Sequence, residues 1–254
     1  MRKVVKKTAS KKSPARKSAP SKRHLPDIVV LCGGLGTRLR PVLNDRPKVL
    51  APIGDKTYLD ILLKELERQG ANRVILAVGH MQHLVADYLK KNAKQYPGLS
   101  IVISGEDRPL GTGGAVRNAS GHVRSQHVIA INGDTLFEVP LDEVLNFHAD
   151  KQGILSVVVS KRTEGNNFGS LGLAEDGRIH SVKITPAPGE PAYVSAGVYI
   201  ISPDAFAAMT EPAFSMETDL MPAILPHGCY AFVSEKDFVD IGTPERYKQA
   251  QENN

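Results

Sequence analysis

From residue 26 onward, short apolar runs alternate with amphipathic stretches. DIVVLC at 27–32 has the unbroken apolar character of a strand buried on both faces. A glycine-rich turn follows, and then 58–69, where Leu59, Leu62, Leu63 and Leu66 fall on one helical face. RVILAV at 73–78 predicts the next strand, and Leu84, Val85 and Leu89 mark the next helix. IVI at 101–103, a second glycine-rich turn, a short helix around 115–119 and the strand HVIAI at 127–131 continue the alternation. This order of elements predicts an α/β protein with a mainly parallel sheet. A helix over 141–148 and the strand ILSVVV at 154–159, central or near-central, extend the same layer. The stretch 170–184 reads instead as a hairpin turning at Asp176-Gly177, which starts a smaller antiparallel part. AGVYII at 196–201 predicts a buried strand, 219–225 a helix turning on Pro222, and 244–251 a closing helix. Pro186, Pro188 and Pro191 punctuate a surface loop.

Charge changes this picture at one end only. The 254 residues carry a net +5, but residues 1–24 hold ten Lys and Arg and no acid, leaving 22 basic against 27 acidic residues in 25–254. The opening segment predicts a disordered basic extension, and 25–254 the folded domain. A basic excess confined to one arm argues against nucleic-acid binding by the body, while leaving it open for the tail. Only Cys32 and Cys229 are present, too few for a disulfide framework. No apolar run reaches membrane-spanning length, and no apolar segment follows the basic start, so the expectation is a cytoplasmic protein without membrane insertion.

Candidate chemistry concentrates after the first strand. In GGLGTRLR at 33–40, glycines let backbone N–H groups approach phosphate oxygens, and Arg38 adds a delocalised cation. The alternative is an ordinary turn with surface arginines. The spacing fits neither the dinucleotide fingerprint nor the P-loop. Lys48, in RPKVLAPI, is near enough in sequence to return to the same crevice. His80 and His83 lack nearby partners for a zinc set.

The run GGLGTRLRPVLNDRPKVLAPI resembles the N-terminal signature of the sugar-1-phosphate nucleotidylyltransferases, GGxGTRLxPLTxxxPKxLxPI. PLGTGGA at 109–115, INGDTLF at 131–137, AGVYII and DIGTPERY at 240–247 carry the resemblance from about residue 28 to 250. It implies a Rossmann-like three-layer nucleotidyltransferase fold with an antiparallel acceptor-binding part. It further implies attack of a sugar 1-phosphate oxygen on the α-phosphate of an NTP, with release of pyrophosphate. Asp134 and Asp240 would hold Mg²⁺, Arg38 would meet the β- and γ-phosphates, and Lys48 the α-phosphate. Leu31, Gly33, Gly34, Gly36, Thr37, Gly111, Thr112 and Gly113 would contact the nucleotide.

Glu106 precedes PLGTGGA in the region resembling the base-binding loop, where a carboxylate suits the neighbouring N1–H and N2–H₂ donors of guanine. GTP is therefore the favoured donor; the alternatives are an exposed acidic turn of Glu106 and Asp107, or Asp107 as base reader. The motif set looks most like that of the bacterial D-glycero-D-manno-heptose 1-phosphate guanylyltransferases. Competing activities are mannose-1-phosphate guanylylation, glucose-1-phosphate thymidylylation or uridylylation, and transfer to N-acetylmuramic acid 1-phosphate. A non-enzymatic nucleotide-binding protein is the further alternative, against which Arg38, Lys48, Asp134 and Asp240 stand together. The sequence departs from the family in three places. Cys32 replaces a usual Ala, VKITP replaces EKP so that Lys183 stands without the family's Glu, and Ser195 replaces an Asn. Asn167, Gly169, Lys183, Ser195, Gly197 and Glu217 are the candidate sugar-phosphate contacts. Family members of this length are monomers or homodimers.

Overall fold

The structure, a computed structural model, describes residues 25–34, 36–162, 170–183, 192–236 and 238–252. In chain order its elements begin with β1 (Asp27–Leu31), β2 (Pro52–Ile53), β3 (Lys56–Thr57), α1 (Tyr58–Arg68), β4 (Arg73–Val78), α2 (Gln82–Asn92), β5 (Ser100–Gly105) and α3 (Gly111–Ala119). They continue with β6 (Val128–Asn132), β7 (Thr135–Leu136), α4 (Leu141–Lys151), β8 (Leu155–Arg162), β9 (Ser170–Leu173), β10 (Ile179–Lys183) and β11 (Ala192–Ile201). The chain closes with α5 (Pro203–Ala207), α6 (Met221–Ile224), β12 (Cys229–Ser234), β13 (Val239–Asp240) and α7 (Pro244–Glu252).

Strand β1 is flanked by β4 and β6, both parallel to it, and β5 adds parallel to β4. Beyond β6 the sheet becomes mixed: β11 pairs antiparallel with both β6 and β8, and β12 runs parallel to β8. The 154–159 strand thus belongs to the sheet but does not continue its parallel set. The expected hairpin is β9–β10, with Gly177 at φ +82°, and it attaches to β11 rather than forming a separate sheet.

Alternation along the strands separates two cores. Ile28, Val30, Ile129 and Ile131 pack on one face with the leucines of α1, while Val29, Val128 and Ala130 pack on the other with Ala115 and Val116 of α3. Helices on both faces of one sheet give the three-layer architecture. Helix α1 starts where the sequence dictates. Thr57 Oγ1 accepts from Asp60 N at 3.2 Å, and Asp60 Oδ2 accepts from Thr57 N at 2.8 Å, a capping box that satisfies two otherwise unpaired amides.

Helix α3 begins at Gly111 rather than near 115, so PLGTGGA supplies a helical first turn instead of a loop. The 219–225 segment is one wide turn over 216–220, then α6, then a tight turn over 225–227. Pro222 sits at the start of α6, where its missing N–H is tolerated. Among the described residues no helix is long and apolar enough to cross a membrane. The expected extension over 1–24 and the proline loop lie outside the described residues.

Candidate active site

A cavity of about 290 Å³ opens beyond the carboxyl ends of β1 and β6. This is where the connections of a parallel sheet diverge and leave a crevice. Leu31 to Gly34 form one wall, Glu106 and the start of α3 a second, and Asn132 to Asp134 the floor, with Lys48 at the mouth. One close approach ties the floor to the first wall. Gly133 N donates to Leu31 O at 2.9 Å, and a Cβ at Gly133 would stand 2.6 Å from that oxygen. Cys32 is buried, and burial pushes its thiol up, with Asp134 and Glu106 adding to the effect. It packs as a protonated apolar group, not a reactive thiolate.

The charged groups meet at the open end. Lys48 Nζ lies 2.8 Å from Asp134 Oδ2, and Arg246 Nη1 lies 2.5 Å from Asp240 Oδ2. Asp134 and Asp240, 106 positions apart, are joined by the two-stranded ladder of β7 and β13, in which Asp240 faces Thr135. Ile241 N completes the link by donating to Asp134 O at 2.9 Å. Gly242 shows how tightly the cluster closes. A Cβ there would fall 2.8 Å from Asp240 Oδ1, 3.6 Å from Arg38 Nη2 and 3.8 Å from Lys48 Nζ. Arg38, Lys48 and Asp240 therefore surround one glycine, although Arg38 itself is exposed on the turn after the glycine loop and does not line the cavity.

Among the described residues no three His, Cys, Asp or Glu side chains gather as a ready-made metal cluster, so the carboxylates of Asp134 and Asp240 are the oxygen ligands the site offers a hard divalent cation. Asp134 Oδ1 accepts only a 3.3 Å contact from Thr135 Oγ1, and carboxylate oxygens are the ligands such ions prefer.

Glu106 forms the deep wall. It is buried, its Oε1 has no hydrogen-bond partner, and desolvation raises its pKa against a smaller opposing effect from the Leu110 amide. The exposed-turn alternative therefore fails for Glu106, while Asp107 is exposed. Gly33 permits this placement, because a Cβ there would meet Glu106 Oε1 at 3.0 Å.

The predicted nucleotide residues divide into two groups. Leu31, Gly33, Gly34, Gly111 and Thr112 line the cavity. Gly36, at φ +62°, packs beside the Lys48 side chain, and Thr37 is exposed at the start of the turn. Gly113 faces elsewhere: its amide donates to Phe214 O at 2.9 Å, and a Cβ would lie 2.1 Å from the Phe214 ring. Its role is packing of α3 against the 211–214 segment.

Glu217, one of the expected sugar-phosphate contacts, is gathered by three hydroxyls. Tyr199 donates to Oε1, while Ser215 and Thr112 donate to Oε2 at 3.2 and 3.3 Å. Ser195 Oγ lies 3.1 Å from Tyr199 Oη and accepts from Gly197 N at 3.1 Å. Gly197, at φ +70°, sits in an irregularity of β11 that leaves Ser195 opposite Val159 and Tyr199 opposite Val157. Such bulges re-aim side chains beside active sites. Asn167 and Gly169 lie outside the described residues; Lys183 stands opposite Ser170 on β10, without a described side chain. Asn132, Tyr199, Gly242 and Arg246 were not singled out by the sequence. Gly242 and Arg246 lie within DIGTPERY and were within reach, but Tyr199 is disguised inside an apolar strand.

Residues 27–254 match the Nucleotidyl transferase family. The chain is 34% identical over 227 residues to a D-glycero-alpha-D-manno-heptose 1-phosphate guanylyltransferase from Aneurinibacillus thermoaerophilus, spanning 89% of this chain and 96% of that protein. It is 31% identical to the protein of the same name from Campylobacter jejuni, spanning 89% and 99%. The crystal structure of HddC from Yersinia pseudotuberculosis complexed with GMP-PN superposes with a TM-score of 0.80 at 32% identity, covering 90% of this chain and 99% of that one. With a cavity at the sheet's carboxyl edge lined by Lys48 and Asp134, and with Asp240 and Arg38 meeting Lys48 around Gly242, this chain belongs to the nucleotidyl transferase family.

Proposed function

We propose that the protein transfers a guanylyl group from GTP to D-glycero-α-D-manno-heptose 1-phosphate in the cytoplasm, with Mg²⁺, giving the GDP-sugar and pyrophosphate. The observation that carries the choice of GTP is Glu106, a buried carboxylate in the cavity wall with an unpartnered oxygen. Guanine offers two adjacent N–H donors to such a group, whereas its burial without a partner carries a desolvation penalty. The relatives named for heptose 1-phosphate guanylylation, and the similar structure crystallised with GMP-PN, support the same donor and acceptor.

In this reading the base enters between the glycine loop and the start of α3, and the triphosphate runs toward Lys48. Arg38 holds the leaving pyrophosphate, and Lys48 stabilises charge on the α-phosphate as the acceptor oxygen bonds to phosphorus and the bond to the β-phosphate bridge breaks. Asp134 and Asp240 would hold Mg²⁺, which when bound lowers the repulsion between the two phosphates. Arg246 and the Gly242 amide fix the Asp240 carboxylate in place. No covalent enzyme intermediate is required.

The test is a matrix of GTP, ATP, CTP, UTP and dTTP against heptose, mannose, glucose and N-acetylmuramic acid 1-phosphates, read by pyrophosphate release. The pair GTP and heptose 1-phosphate is expected to give the highest kcat/KM. A higher value with any other donor or acceptor overturns that part of the assignment.

A further inference from the structure

The hydroxyls around Glu217 have a fixed direction. Tyr199 has one proton and gives it to Glu217 Oε1, so Ser195 Oγ, 3.1 Å from the phenol, must donate to Tyr199. Ser195 in turn accepts from Gly197 N. On the other side Thr112 Oγ1 accepts from Met216 N at 2.8 Å and donates to Glu217 Oε2. Ser215 Oγ accepts from the amides of Glu217 and Thr218 and donates to the same oxygen. Three backbone-anchored hydroxyl chains thus end on one carboxylate: one from the bulge in β11 beside Asn132, one through Thr112 of the cavity lining, and one through Ser215.

We propose that Tyr199 is a positioning residue for the acceptor sugar: through its phenol it aims the Glu217 carboxylate, which reads acceptor hydroxyls at the boundary with the nucleotide cavity. This rests on the nucleotidyl-transfer reading above. Tyr199 is fully buried, so its oxygen reaches the site only through Glu217 and Ser195. Glu217 is only partly buried and is shared with Thr112, which itself lines the cavity. A sugar hydroxyl approaching Oε2 competes with the 3.3 Å Thr112 contact, the weakest of the three, while Tyr199 keeps Oε1 in place.

The full-length Tyr199→Phe and Glu217→Gln variants, singly and combined, decide the matter, using the acceptor that the wild type turns over best. Tyr199→Phe is expected to raise the acceptor KM about tenfold, with the GTP KM within about twofold. Glu217→Gln should raise it further, and adding Tyr199→Phe to Glu217→Gln should change little, since both act through one carboxylate. Ser195→Ala is expected to give a smaller shift in the same direction. Calorimetric titration of the acceptor into protein saturated with a non-hydrolysable GTP analogue gives the same comparison without turnover. An equal rise in both KM values accompanied by a lower Tm would make Tyr199 merely structural. An unchanged acceptor KM in Tyr199→Phe, or strict additivity with Glu217→Gln, would overturn the proposal. A wild-type preference for an acceptor other than heptose 1-phosphate would overturn the substrate assignment alone.

Discussion

Lys48 Nζ lies 2.8 Å from Asp134 Oδ2, so the lysine that follows the glycine loop is held over the end of β6 before any phosphate arrives. The pair keeps two charged groups of the site in register and leaves Asp134 Oδ1 with only a 3.3 Å contact from Thr135 Oγ1. Asp134→Asn is expected to lower kcat by on the order of 10²–10³-fold, and Asp240→Asn by a similar factor, with far-ultraviolet circular dichroism unchanged. Combined with Lys48→Met, Asp134→Asn should lose much less than the product of the two single effects. Near-normal turnover in both Asn variants would remove the carboxylates from the mechanism.

Glu106 makes a prediction about pH. Burial raises its pKa, and guanine needs the ionised form as acceptor. As pH falls, the carboxylate protonates earlier than an ordinary glutamate would, so the GTP KM should rise on the acid side while the acceptor KM stays flatter. Glu106→Gln is expected to weaken GTP use selectively and to abolish that acid limb. A uniform effect across all five nucleotides would contradict base reading.

The main elements of the nucleotide half were legible because each depended on local pattern. The strand at 73–78 and the helix over 58–69 came out within a residue of their positions, since apolar runs and leucine spacing report burial directly. The glycine loop, Lys48, Asp134 and Asp240 were legible as ordered motifs. What local pattern does not carry is partner choice between distant segments. The antiparallel pairing of β11 with β6, the β7–β13 ladder beside the two aspartates and the burial of Gly113 against Phe214 are all long-range events. Strand β12, CYAFVS, was missed because a short run of mixed polarity gives a weak signal. Tyr199 looked like core, and it is core except at its oxygen.

Two glycines should tolerate no side chain, for different reasons. At Gly197 the backbone is at φ +70° and a Cβ would stand 2.3 Å from Asn132 Nδ2, combining left-handed strain with a clash. At Gly113 the obstacle is the Phe214 ring at 2.1 Å. Gly197→Ala and Gly113→Ala are each expected to lower stability by roughly 1–3 kcal/mol in urea unfolding. Gly34→Ala, with nothing within 4 Å of its Cβ position, serves as the control and should stay near wild type.

The family match starts at residue 27, and the described residues that line the cavity and hold its charged mouth fall between Leu31 and Arg246. Removing residues 1–24 is therefore expected to leave kcat and both KM values within about twofold. A large loss of pyrophosphate release on truncation would assign the basic segment a part in the reaction.

His148 ties stability to pH at a distance from the site. Its ring is buried on α4, with Nδ1 2.8 Å from Ser156 Oγ and the His127 ring edge-on at a centroid distance of 5.3 Å. Burial, reinforced by His127, brings its pKa down to about 4. In the unfolded chain an ordinary histidine titrates near 6.5. Between these values the unfolded state holds a proton that the native state does not, so stability rises with pH across this window. Above about pH 6.5 both states are neutral and no penalty remains; as pH falls toward 4 the unfolded state is progressively favoured. The loss between pH 7.5 and 5 should be on the order of 2 kcal/mol from this residue alone. Urea unfolding of wild type and His148→Asn at pH 7.5, 6 and 5 measures it. The variant is expected to be less stable at pH 7.5, because it leaves a packing defect, but to show a shallower decline toward pH 5. Parallel declines in the two proteins would mean that other groups set the acid sensitivity.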